Sequence, residues 1–219
     1  MISVDTKSKE RIGDFKNSGR CWTKTPREVN AHDFPQDALC QAAPYGIYDV
    51  GRNHGFLHVG VSSDTPQFAV DSIRQWWLIQ GRSHYEEGGE LLVLADAGGS
   101  NGYRSRLYKK LLQEKIADAF GLKVTVCHYP SGASKWNPVE HRLFGPISYH
   151  WSGIPLRSLE LLLRLIRTTV TEGGLKVCAR LTRKTYRTGV RVSDAEMKTI
   201  NLRRHATCPQ WNYTINPSR

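Results

Sequence analysis

Residues 90–130 read ELLVLADAGGSNGYRSRLYKKLLQEKIADAFGLKVTVCHYP, and their order decides the fold. Leu91 to Ala95 are five consecutive apolar residues, a strand covered on both faces, and they end in Asp96. The glycine-rich AGGSNG makes a flexible turn. Apolar residues then recur at helical spacing from Ser105 until Gly121 closes the helix. LKVTVCHYP is a second buried strand. Strand, helix and strand in this order predict an α/β sheet covered by helices.

The same pattern extends outward. ISVDTK at the start reads as a short strand ending at Asp5, and residues 14–44 as a long polar excursion broken by Gly and Pro. YGIYDVGRNHGFLHVGVSSD predicts two strands joined by a turn at Asn53 to Gly55. TPQFAVDSIRQWWLIQG predicts a helix with Thr65 as N-cap, Pro66 first and Gly81 as the stop, with Trp76 and Trp77 in the core. SLELLLRLIRTTV is an amphipathic helix starting at Ser158. The basic stretch after it reads as a strand pair and a short helix capped by Ser193 and Asp194. The expected division is a catalytic unit over 1–175 and a basic C-terminal extension over 176–219, packed on the same domain.

At 219 residues, with 39% hydrophobic and 23% charged residues, the chain is globular rather than disordered. Five cysteines without a C-x-x-C pairing suit a reducing cytosol and argue against a disulfide framework. No apolar run approaches the ~20 residues of a membrane span, and the start lacks a signal peptide's apolar core, so a cytoplasmic protein is expected. The net charge is +11, and residues 157–191 hold nine Lys/Arg against two Glu. A basic surface of this size favours a polyanion, with nucleic acid the commonest in a cytosol.

Three carboxylates stand out by position. Asp5 ends the first strand, Asp96 ends the strongest one, and Glu140 opens a helix after the next. Ligands of open α/β sheets collect at strand carboxyl ends. Carboxylates gathered there repel one another unless a divalent cation neutralises them, and Mg²⁺ or Mn²⁺ suits hard oxygen ligands. Two such ions about 4 Å apart clamp the attacking and leaving oxygens of a phosphoryl displacement. Each residue also fits a structural role: Asp5 as a fraying end, Asp96 as a turn former, Glu140 as the capping-box partner of Asn137. Lys135, Trp136 and Arg142 flank Glu140 as candidate DNA contacts, joined by Arg180, Arg183, Lys184 and Arg187 of the basic stretch.

In combination, ISVDTK, EVNAHDFP, PYGIYDV, LLVLADAGGSNG, VTVCHYPSGASKWNPVEHRLF and WNYTI resemble the Rhodopirellula-type transposase DDE domain family, bacterial insertion-sequence transposases with an RNase H-like fold. The resemblance runs in order from about residue 2 to 215. It implies a DDE triad on Asp5, Asp96 and Glu140, and Mg²⁺-dependent cutting of double-stranded DNA at transposon ends. The freed 3′-hydroxyl then joins to target DNA, with several copies of the chain in the active complex. Two departures bear on activity. The chain is expected to be a catalytic domain without the family's N-terminal end-recognition region, and Pro146 in FGPISYHW is expected to break or kink the helix behind Glu140. A nuclease that cuts without joining, or an inactive remnant that only binds DNA, are the competing readings.

Overall fold

The computed structural model describes residues 1–31, 34–86 and 89–218; His32 and Asp33 of the EVNAHDFP motif lie outside them. The strands among these residues are β1 (Ile2–Thr6), β2 (Glu10–Ile12), β3 (Cys40–Asp49), β4 (His54–Gly60), β5 (Glu90–Ala95), β6 (Lys123–His128), β7 (Lys176–Thr182), β8 (Leu202–Arg204) and β9 (Asn212–Ile215). They form one mixed sheet in the order β7-β4-β3-β1-β5-β6-β9-β8, with β2 paired to β3. β1 is antiparallel to β3 and parallel to β5, and β6 continues the parallel half. The carboxyl ends of β1, β4, β5, β6 and β7 therefore share one edge. This is the expected RNase H-like mixed sheet flanked by helices.

Helices cover both faces. On one side lie α1 (Pro66–Trp76), α2 (Arg106–Leu112) and α3 (Asp118–Phe120). Thr65 and Ser105 cap α1 and α2 by accepting the Phe68 and Tyr108 amides, and α3 stops at Gly121 in the left-handed conformation. Wide π turns, Trp77–Gly81 and Gln113–Ala117, extend α1 and join α2 to α3. This layer buries Trp76, Trp77 and Ile116 with Ile2, Val4, Val93 and Val126. On the other side α4 (Gly145–His150) and α5 (Leu159–Arg167) bury Phe144, Ile147, Leu162 and Ile166 with Leu57 and Val59. The last helix, α6 (Asp194–Lys198), begins at a Ser193–Glu196 capping box. Among the described residues no helix is long and apolar enough to cross a membrane.

Several expectations are corrected. The polar excursion ends at Leu39, because β3 already begins at Cys40 and runs through Pro44. Pro44 lies where β3 changes partner from β1 to β2, so its missing N–H breaks no ladder bond, while its carbonyl accepts from Lys7. The basic stretch holds no strand pair: β7 joins β4 at one edge of the sheet, and β8 joins β9 at the other. Pro146 does not break the helix behind Glu140. Glu140–Phe144 forms a π turn, closed by the Gly145 amide on the Glu140 carbonyl, and runs directly into α4. The wide turn absorbs the missing donor, and Gly145 has no Cβ to clash with the proline ring.

Candidate active site

Alternation along β1 sends Ile2 and Val4 into the α1–α2 core, leaving Ser3 and Asp5 on the opposite face. Val4 pairs with Ala95, so Asp5 and Asp96 leave adjacent strand ends. Glu140 is the third residue of a helix starting at Pro138. That helix lies flush on the sheet because two glycines admit it. A Cβ on Gly46, the partner of Asp5 across the ladder, would fall 2.2 Å from the Phe144 ring, and one on Gly55 would fall 2.3 Å from Leu143.

Asn137 does not cap this helix with its own side chain. Ser3 Oγ accepts the Val139 amide at 2.9 Å and donates to Asn137 Oδ1 at 2.5 Å. β1 therefore caps the helix that carries Glu140. The Asn137 amide, freed from capping, donates to the Val4 carbonyl at 3.3 Å and to Asp96 Oδ1 at 3.1 Å. His128 at the end of β6 donates from Nδ1 to the Asp96 carbonyl at 2.9 Å. Burial lowers its pKa to about 4, so this ring is neutral.

The three carboxylates perturb one another. Burial first, then the charge of Asp96, raises the Asp5 pKa to about 7, against the pull of the Thr6 amide donating at 2.7 Å. Glu140 adds its charge and a hydrogen bond to Asp5, so the proton between them resides on Asp5. Glu140 itself is raised by burial and by Asp96, opposed by Asp5, His141 and Lys7. Asp96 is raised by burial and held back by the Asn137 hydrogen bond.

An all-oxygen donor set that retains a proton against its own repulsion suits a hard divalent cation. The side chains are not yet a cage: among the described residues no group of three His, Cys, Asp or Glu is arranged to hold a metal ion. Asp5 instead spends an oxygen on Glu140, and Asp96 spends one on Asn137.

The basic candidates fall into separate places. Lys135 and Trp136 are exposed on the loop before Glu140, the ammonium 5.4 Å from the indole centroid. Arg142 is exposed on the far side of the same turn, where Tyr48 feels its charge. Arg180 lies exposed on β7, the edge strand. Arg183 acts on Cys40 and Glu160 beside α5, whereas Lys184 turns to α1 and pairs with Asp71 at 2.7 Å. The two neighbours thus serve opposite faces. Arg187 lines a groove of about 570 Å³ with Arg106 and Arg191, between the starts of α1 and α2.

Ser3 and Asn137 are the site residues that sequence reasoning missed. Ser3 shares the β1 face of Asp5 by two-residue spacing, a usable signal; Asn137 carried only a capping signal, which pointed elsewhere. No curated protein and no solved structure matches the chain. One family does, described as Rhodopirellula transposase DDE domain and matching residues 1–217, and the chain belongs to it.

Proposed function

We propose that this domain cuts DNA at transposon ends and transfers the freed 3′-hydroxyl into target DNA, with Asp5, Asp96 and Glu140 holding Mg²⁺ or Mn²⁺. The observation that carries the reading is the raised pKa of Asp5 among two further carboxylates at one sheet edge. Bound there, the ions supply positive charge at the attacking and leaving oxygens of an in-line displacement.

The chain's own residues prepare that chemistry. Asp5 must give up the proton it shares with Glu140, which frees both carboxylates as ligands. Asn137 fixes one Asp96 oxygen and leaves the other for an ion. Neutral His128 holds the Asp96 backbone without adding charge. Residues 1–175 contribute the three carboxylates, and 176–219 supply both edges of the same sheet.

Double-stranded DNA is the partner this reading requires. Lys135, Trp136, Arg180, Arg183, Lys184 and Arg187 are the contacts proposed for it, with Arg142 further out, and the working complex holds more than one copy of the chain. The test is incubation with Mg²⁺ or Mn²⁺ and DNA carrying a cognate transposon end. Joined products that vanish in Asp96→Ala support the reading. Cleavage without joining makes the domain a nuclease, and no metal-dependent product from a folded chain refutes the catalytic proposal.

A further inference from the structure

A chain of rings runs from the catalytic edge to the surface. His128 Nδ1 holds the Asp96 carbonyl at 2.9 Å, and its ring centroid lies 6.3 Å from that of Tyr103, at 62°. Tyr103 in turn lies 6.4 Å from Trp211, nearly perpendicular at 83°. Both are edge-to-face pairs. Tyr103 sits in the turn beyond Asp96, its amide on the Ala97 carbonyl and its own carbonyl accepting from Lys109 at 2.6 Å. Trp211 directly precedes β9, in a turn whose Trp211 and Asn212 amides donate to the Cys208 carbonyl at 2.8 and 2.9 Å. Because β9 is antiparallel to β6, this turn stands at the carboxyl end of β6, one strand away from Asp96.

The two outer rings do not serve the core. Tyr103 and Trp211 are half-buried and belong to neither apolar cluster. They are held in place yet keep apolar surface open, and two arginines frame them. The exposed Arg104 lies with its guanidinium 5.2 Å from the Tyr103 centroid, and its Nε donates to the Tyr103 hydroxyl at 2.8 Å. Arg204, exposed at the end of β8, donates to the Pro209 carbonyl at 2.7 Å in the turn of Trp211. Among the described residues neither arginine pairs with a carboxylate, whereas Arg106 and Lys110 do. The two segments that meet here, 97–113 and 197–219, hold four Lys/Arg each and no Asp or Glu.

We propose that Tyr103, Arg104, Arg204 and Trp211 form a docking surface for an unpaired DNA strand beside Asp96, with a base stacked on Trp211 and phosphates on the two arginines. It rests on the reading of DNA as the substrate, and adds the state of the strand and a face that none of the contacts named above occupies. A duplex keeps its base faces inside its own stack, so rings framed by cations suit bases that have left it. The acid-free surroundings favour the phosphates without choosing a sequence.

The test is the affinity of the full chain, without added metal, for labelled single-stranded and duplex DNA of about 12 nucleotides, read by fluorescence anisotropy. Trp211→Ala should weaken single-strand binding by about fivefold or more, the loss of one stacked base, and duplex binding by less than about twofold. Trp211→Phe keeps a stacking ring and should stay within about threefold of the wild type. Arg104→Gln and Arg204→Gln should each reduce the single-strand salt slope by about 0.7. Trp22→Ala, at a fully exposed tryptophan elsewhere, should leave single-strand affinity unchanged. If Trp211→Ala does not fold, the two arginine variants carry the test, and unchanged salt slopes overturn the proposal. Unchanged single-strand affinity in folded Trp211→Ala also overturns it, as does an equal loss on duplex DNA or in Trp22→Ala. Each of these leaves the catalytic reading to its own test with metal and transposon ends. A wild type that binds neither form of DNA overturns both.

Discussion

Asn137 donates to Asp96 Oδ1 at 3.1 Å while its own oxygen accepts from Ser3, 134 residues earlier in the chain. A side chain whose local role would be capping is instead a fully buried brace between β1, Asp96 and the helix of Glu140. Asn137→Ala strands the Ser3 hydroxyl and removes a donor from Asp96. It should cost about 1–3 kcal/mol in urea unfolding, and the Asp96 pKa should rise, measurable by carboxyl carbon NMR. Asn137→Asp should cost more, because it buries a second charge against Asp96.

The raised pKa of Asp5 gives a signed pH dependence. An acid whose folded pKa lies above its unfolded value binds more protons when folded, so this group's contribution is present below about pH 4 and lost as pH rises through 7. Asp5→Asn removes the loss. The stability of Asp5→Asn relative to the wild type should grow from pH 4 to 7 in denaturant titrations. Mn²⁺ should shrink that gap at pH 7, and its uptake by the wild type at pH 6 should release protons.

His58 and His128 have the opposite sign. Burial lowers both pKa values to about 4, so each binds fewer protons folded than unfolded. Their contribution is present above about pH 6.5 and lost as pH falls toward 4. Their imidazole resonances should remain those of neutral rings at pH 5.5. Charged rings at pH 5.5 would mean that burial does not hold them neutral.

Gly46→Ala should unseat the helix of Glu140, because the new methyl falls 2.2 Å from Phe144. Overpacking of this kind costs about 1–3 kcal/mol. Pairing it with Phe144→Leu should restore part of that stability, giving a coupling energy of about 0.5–2 kcal/mol in a double-mutant cycle. Independent, additive effects would mean that the contact does not hold the helix against β3.

Charge reversals should separate the basic residues. Arg183→Glu and Arg187→Glu should each lower DNA affinity and reduce the salt slope by about 1. Lys184→Glu should change DNA binding less and stability more, since Lys184 is already paired with Asp71. Equal effects on affinity at all three positions would mean that the Asp71 pair opens on DNA.

Local features were legible in the sequence because their causes are local. Thr65, Ser105, Ser158 and Ser193 cap helices where a hydroxyl precedes an apolar-periodic run, and Gly121 ends one where the left-handed conformation needs it. The sequence also marked Asp5, Asp96 and Glu140, since each ends a strand or opens a helix at a strand's carboxyl side. β2 escaped because three residues carry no period, and the π turn at Glu140 because nothing in the pattern distinguishes it from an α turn.

The amino-acid sequence by itself therefore determined most of the elements, the α/β class and three carboxylates that could meet, and the family resemblance added the RNase H-like expectation. Only the tertiary structure decided that Ser3 caps the helix of Glu140, that Asn137 braces Asp96, and that β7 and β8 close opposite edges of one sheet. The reason is physical. Those contacts join residues 41 to 136 positions apart, and their geometry is set by strand register and by the close approach that Gly46 and Gly55 permit.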